Sequence, residues 1–116
     1  MPSATGSQAE QLALEYLQAQ GLQLLTRNFR GRYGEIDLIM RHGTVLVFIE
    51  VRLRNSKQYG GADASITHNK QQKLRLTASQ YMQRYGEQAC RFDTILFSQL
   101  KHDCIIWQKQ AFDYVE

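Results

Sequence analysis

The chain has 116 residues and a net charge of +3, enough for one hydrophobic core and too short for two. An apolar share of 43% is ordinary for a globular domain, no run approaches the length of a membrane span, and the start lacks a basic-then-apolar signal pattern. Two cysteines, Cys90 and Cys104, form no disulfide framework or Cys-x-x-Cys pair, and the three scattered histidines argue against zinc, so the sequence reads as a cytoplasmic protein with buried free thiols.

Residues 1–6 read as a flexible tail ahead of a single domain over 7–116. Ser7 then opens a helix in which Ala9, Leu12, Ala13, Tyr16 and Leu17 recur at helical spacing, with Gly21 as its stop. Glu10 stands three residues after Ser7, the spacing of a capping box. It also lies on the flank of the apolar stripe, from which a carboxylate can reach the edge of a site on a sheet. Leu22 to Phe29 reads as an edge-like first strand, with Arg27, Arg30 and Arg32 close together at its end. Arginines so placed suit bidentate phosphate contacts, or simply decorate the surface.

From Gly34 to Arg54 the chain reads as two apolar-rich strands about a His42-Gly43 turn. Antiparallel pairing about those two residues sets Glu35 opposite Glu50 and Asp37 opposite Phe48, diagonal to Glu50. Side chains alternate, so Glu35, Asp37, Glu50 and Arg52 share one face. Ile36, Leu38 and Met40 join Val45, Val47, Ile49, Val51 and Leu53 on the other. Because the charged face also carries Ile39, Leu46 and Phe48, it too is expected beneath a helix. Three carboxylates then crowd one end of a covered sheet, where like charges raise one another's pKa. A divalent cation such as Mg²⁺ resolves the conflict. So does an internal salt-bridge cluster with Arg52 and Arg54.

Asn55 to Ser65 is a polar loop whose Tyr59 and Gly60-Gly61 fit either a mobile flap or plain disorder. Thr67 caps a long second helix running to about Tyr85 before Gly86, with Leu74, Ala78, Tyr81 and Tyr85 facing inward. Lys70 and Gln71 also project inward at its N-terminal end, where free N–H groups and the helix dipole favour phosphate. Lys70 there either meets an anion or snorkels to water. Arg91–Ser98 and Cys104–Gln108 read as two further strands, with Ala111-Phe112 docking the last segment. The order helix, three strands, helix, two strands predicts an α/β fold with a mixed central sheet flanked by helices.

Charge is unevenly distributed. Residues 26–57 hold seven basic and three acidic groups, while 67–85 hold Lys70, Lys73, Arg75 and Arg84 with no acid. Such concentration is the footprint of a polyanion binder, with a solvated basic face as the alternative.

Glu10, Gly34-Glu35-Ile36-Asp37-Leu38-Ile39 and Phe48-Ile49-Glu50-Val51-Arg52-Leu53-Arg54 together resemble the YraN-type family of bacterial proteins. Tyr59-Gly60-Gly61-Ala62, the Lys70 to Leu74 helix and Arg91-Phe92-Asp93 extend the likeness over nearly the whole chain. The resemblance implies a restriction-endonuclease-like fold, related to archaeal Holliday-junction resolvases. It implies Asp37 and Glu50 as metal-binding carboxylates, the Val51 carbonyl as a further ligand and Glu10 as the helix carboxylate completing the site. Arg52 falls where such enzymes usually carry lysine, and arginine cannot serve as a base.

The expected function is therefore a Mg²⁺- or Mn²⁺-dependent endonuclease, a phosphodiesterase acting on DNA, with branched DNA among its candidate substrates. Asp37, Glu50 and Arg52 are its catalytic candidates. Arg27, Arg30, Arg54, Lys70 and Lys73 are the nucleic-acid contacts, supported by Glu35 and Gln71. The alternatives are a nucleic-acid-binding module that does not cut, and an interaction protein meeting an acidic partner. No membrane partner is expected, and a homodimer of the resolvase kind is left open.

Overall fold

The computed structural model describes residues 4–53 and 66–114. In chain order these form α1 (Ala4–Ala19), β1 (Gln23–Arg30), β2 (Glu35–His42), β3 (Val45–Leu53), α2 (His68–Tyr85), β4 (Cys90–Phe97) and β5 (Ile105–Phe112). The sheet runs β1-β2-β3-β4-β5, antiparallel throughout except for the parallel β3–β4 pair. A parallel neighbour requires a crossover, and α2 supplies it. The α/β fold with a mixed sheet flanked by helices is thus present in the expected element order.

One helix lies on each face. Ala9, Ala13, Leu14 and Leu17 of α1 pack on Leu38, Met40, Val47 and Ile49, while Leu74, Ala78, Tyr81 and Met82 of α2 pack on Ile39, Leu46 and Phe48. Coverage of both faces explains why β3 reads as an almost unbroken apolar run. Among the described residues, no helix is long and apolar enough to cross a membrane.

Several local expectations need correction. Helix α1 begins at Ala4, so Ser7 is an exposed residue inside the helix and forms no capping box with Glu10. Tyr85 is 58% exposed, because it stands at the last turn, where the helix outruns the sheet; it leans on Tyr81 with ring centroids 4.6 Å apart. Thr67 does cap α2, its hydroxyl accepting the Lys70 N–H at 3.2 Å. Ile36 belongs to the α2-side cluster, not to the face of Leu38 and Met40. The β2–β3 ladder stops at Leu38↔Ile49, so beyond that point no pairing with β3 holds β2 to strict alternation.

The hairpin register also differs. Its turn is Gly43-Thr44, with Gly43 at φ +63, and His42 already pairs with Val45. The displacement relative to a His42-Gly43 turn is even, so over the paired residues the faces of β2 and β3 are kept while the partners change. Asp37 no longer faces Phe48, which pairs with Ile39, and lies just past the last pair, Leu38↔Ile49. Glu35 leaves Glu50 altogether and pairs with Arg30 across the β1–β2 ladder.

Asp93 on β4 is 1% exposed, yet it is fully provided for. Its carboxylate accepts from Arg91 Nε at 3.1 Å, Trp107 Nε1 at 2.9 Å and the Gln110 backbone N–H at 2.9 Å. Gln110 sits at φ +52, and the β4–β5 register shifts between Phe92 and Thr94. The acid therefore pins an irregular stretch of the edge strand β5, which accounts for its burial. Cys90 and Cys104 are free and partly buried, and burial pushes the Cys90 thiol up, away from a reactive thiolate.

Candidate functional site

Glu50 emerges on the α2 side of β3, the middle strand of the sheet, and is held between β2 and β4. Asp37 reaches it from β2 at the point where the two strands part. There the Asp37 carboxylate replaces the missing ladder bond, its Oδ2 accepting the Val51 N–H at 2.8 Å. The two acids are in hydrogen-bonding contact, and Asp37 is pushed up to about 9. Burial is the largest cause, followed by the hydrogen bond and charge of Glu50; the Val51 N–H offsets part of the rise and the charge of Glu10 adds to it. At neutral pH Asp37 of the ion-free pair therefore keeps its proton.

The pair opens on a cleft of about 500 Å³ whose walls include Arg52, Thr67 and Lys70. Lys70 Nζ stands 3.3 Å from Glu50 Oε2, with the Glu50 side chain 11% exposed and that of Lys70 49% exposed. Lys70 thus meets an anion, the chain's own Glu50, while its side chain stays half exposed to water. The first turn of α2 brings the lysine there and Thr67 fixes that turn.

Glu10 is 6% exposed and its Oε1 accepts from Asn28 Nδ2 at 2.9 Å. The same amide donates to Glu35 Oε1 at 3.0 Å, and Arg30 Nη2 holds Glu35 Oε2 at 3.0 Å. Glu10 and Glu35 are thereby joined to each other through Asn28, beside the Asp37–Glu50 pair. Among the described residues, no three carboxylate, imidazole or thiol groups are close enough to hold one ion together.

The remaining candidates divide. Lys73 opens on a smaller cavity of about 200 Å³ together with Lys70, Tyr33 and Glu35. Arg27 turns away to Gln11 on α1, at 3.1 Å. Gln71 bonds the Ile66 carbonyl at 2.8 Å and receives Arg75, so it braces the entry to α2. Arg54 and the Tyr59 to Gly61 segment lie outside the described residues.

Asn28 is the participant that sequence reasoning overlooked. It occupies φ +50 within β1, a conformation few residues other than glycine adopt and asparagine tolerates best. An asparagine inside an otherwise apolar-and-basic strand is the signal that could have exposed it, since asparagine is depleted in strands.

Fold and site together define a small α/β protein with a mixed five-stranded sheet and a paired-carboxylate cleft beside its crossover helix. The chain belongs to the family described as Uncharacterised protein family UPF0102, whose model matches residues 9–97. A UPF0102 protein of Methylobacillus flagellatus is 51% identical over 107 residues, covering 92% of this chain and 95% of its own. One of Nitrosomonas europaea is 50% identical over 109 residues, covering 93% and 92%. A third, from Legionella pneumophila, is 49% identical over 116 residues, covering 97% and 98%. The likeness to the YraN-type family noted in the sequence is this membership.

Proposed function

We propose that the protein is a metal-dependent phosphodiesterase acting on DNA, with Asp37 and Glu50 as the ion-holding pair. The observation that carries this reading is their side-chain contact in an open cleft, with Asp37 pushed up to about 9. Two carboxylates so placed are poorly served by protons and well served by a divalent cation. The donor set fits Mg²⁺ or Mn²⁺, which bind through one or two carboxylates and fill the remaining positions with water and substrate phosphate. Such an ion, when bound, polarises the phosphoryl group and lowers the pKa of a ligated water.

The chain's own groups supply the rest. Asp37 and Glu50 would hold the cation, and Asp37 would have to give up its proton for that. Lys70, no longer needed to neutralise Glu50, can turn its ammonium to a phosphate oxygen. Arg52 in the same wall can offset charge developing on the phosphate, but cannot accept a proton. Glu10, held by Asn28, adds negative potential and raises the pair's preference for a cation.

Branched, flapped and single-stranded DNA incubated with Mg²⁺ or Mn²⁺ tests the reading. Cleavage should appear with at least one substrate and vanish in Asp37→Ala and Glu50→Ala. Failure to cut any of them with either ion would reject it. A module that binds nucleic acid without cutting is favoured by one observation: Lys70 already balances Glu50 without an ion.

A further inference from the structure

Lys70, Lys73, Thr77, Gln80 and Arg84 follow one another at spacings of three and four, so they form a single stripe along α2 beside its apolar one. That stripe lines three successive cavities. Lys70 belongs to the carboxylate cleft, Lys70, Lys73 and Thr77 to the 200 Å³ cavity, and Gln80 and Arg84 to a further cleft of about 540 Å³. The opposite wall of the latter two is the turn between β1 and β2, which contributes Arg30, Arg32 and Tyr33.

The turn is held hard against the helix. Gln80 Oε1 accepts the Arg32 N–H at 2.8 Å, and a Cβ on Gly31 would stand 2.3 Å from that oxygen. A side chain at Gly31 would push the Gln80 amide aside and break this contact. The far cleft has no acidic residue in its lining, against Arg32, Arg84 and Arg30, the last already paired with Glu35 of the middle cavity at 3.0 Å. Tyr33, 45% exposed, stands midway, with the Arg32 guanidinium 5.9 Å from its ring centroid.

We infer that this channel is the path of a single nucleic-acid strand leading to the carboxylate pair. The inference rests on the reading of that pair as a DNA-processing site and names the form of DNA it takes. Cations at both ends suit phosphates, and an exposed tyrosine between them suits an unstacked base. From Lys70 to Arg84 the helix advances about 21 Å at 1.5 Å per residue, room for about three to six nucleotide steps. The clefts open outward and are divided by the Arg32–Gln80 contact. A strand would run along their mouths and over that contact, a narrow line that suits one flexible strand better than a stiff duplex.

Binding of a labelled single-stranded oligonucleotide about twelve residues long, followed by anisotropy without divalent ion, tests this. The wild-type chain should bind it more tightly than a duplex of equal length. Arg32→Ala with Arg84→Ala should weaken binding at least about tenfold and flatten the slope of log affinity against log salt by about 1.4, for two lost strand phosphates. Both arginines are exposed, so an unchanged melting transition is expected in the variant. Lys101→Ala with Lys109→Ala removes equal charge from the β4–β5 side and should have a smaller effect. If the two double variants behave alike, or the duplex binds more tightly through the same arginines, the channel inference fails while the DNA reading stands. If the wild-type chain binds neither probe at low salt, both fall.

Discussion

Asp37 and Asp93 both sit inside the sheet, one on β2 and the other on β4, yet their surroundings are opposite. Asp93 receives a guanidinium, an indole N–H and a backbone N–H, and nothing acidic lies among its partners. Asp37 receives one backbone N–H and is pressed against a second carboxylate, with a third near enough to raise it further. A structural acid is surrounded by donors; an acid kept for a ligand is left short of them. The chain can evidently satisfy a buried aspartate when burial is the only aim, so the shortfall at Asp37 calls for a different explanation.

Four measurements can break or sharpen that contrast. The largest expected effect is on cleavage: Glu50→Gln should lower any ion-dependent rate by about a hundredfold or more, whereas Arg91→Lys, beside Asp93, should leave it within a few-fold. Next is stability under urea. Asp93→Ala takes the carboxylate from a partly buried guanidinium, an indole N–H and a backbone N–H and should cost about 3 kcal/mol. Asp37→Asn should cost little or be stabilising at pH 8, because the amide sits beside Glu50 without the proton that folding must otherwise place on Asp37; a larger loss at Asp37 than at Asp93 would invert the comparison.

The third concerns pH. Asp37 ordinarily titrates at 3.8 and is raised to about 9 in the fold. Between those values the folded chain keeps a proton that the unfolded chain has lost. Ion-free stability should therefore fall as pH rises through this window, by at most about 1.4 kcal/mol per unit, and Asp37→Asn should abolish that slope. The smallest effect is calorimetric. Mn²⁺ added at pH 7 should release about one proton, seen as a dependence of the heat on buffer ionisation enthalpy, and none in Asp37→Asn.

Much of this arrangement could be read in the residues, and the parts that could not share a cause. Element order, the Thr67 cap, the Gly21 and Gly86 stops and the faces of the hairpin all follow from spacing along a single element. The partner of Asp37 did not, because it depends on whether the turn uses His42-Gly43 or Gly43-Thr44, and both fit local preference. Asn28 was missed because its role rests on one backbone torsion and on carboxylates from α1 and β2. Lys70 was found as an inward-facing cation, but its partner Glu50 lies on another element, and spacing within α2 is silent about it. Asp93 likewise depends on β5, whose Trp107 and Gln110 arrive by long-range pairing. Local patterns specify what each element is, while the site is made of relations between elements.

The parallel pairing of β3 with β4 has a consequence for how this cleft comes into being. Leu46 must wait for Cys90, and Glu50 for Thr94, before the strand bearing Glu50 has a neighbour on both sides. Until then the hairpin can form by itself, with its acids facing water and α2 yet to close over them. Non-local pairing of this kind is slow relative to hairpin closure. The crowding of Asp37 and Glu50 is therefore imposed late, when docking of the crossover helix and β4 buries two carboxylates that had been hydrated. A cation present at that moment would ease the final step of folding as well as any later chemistry.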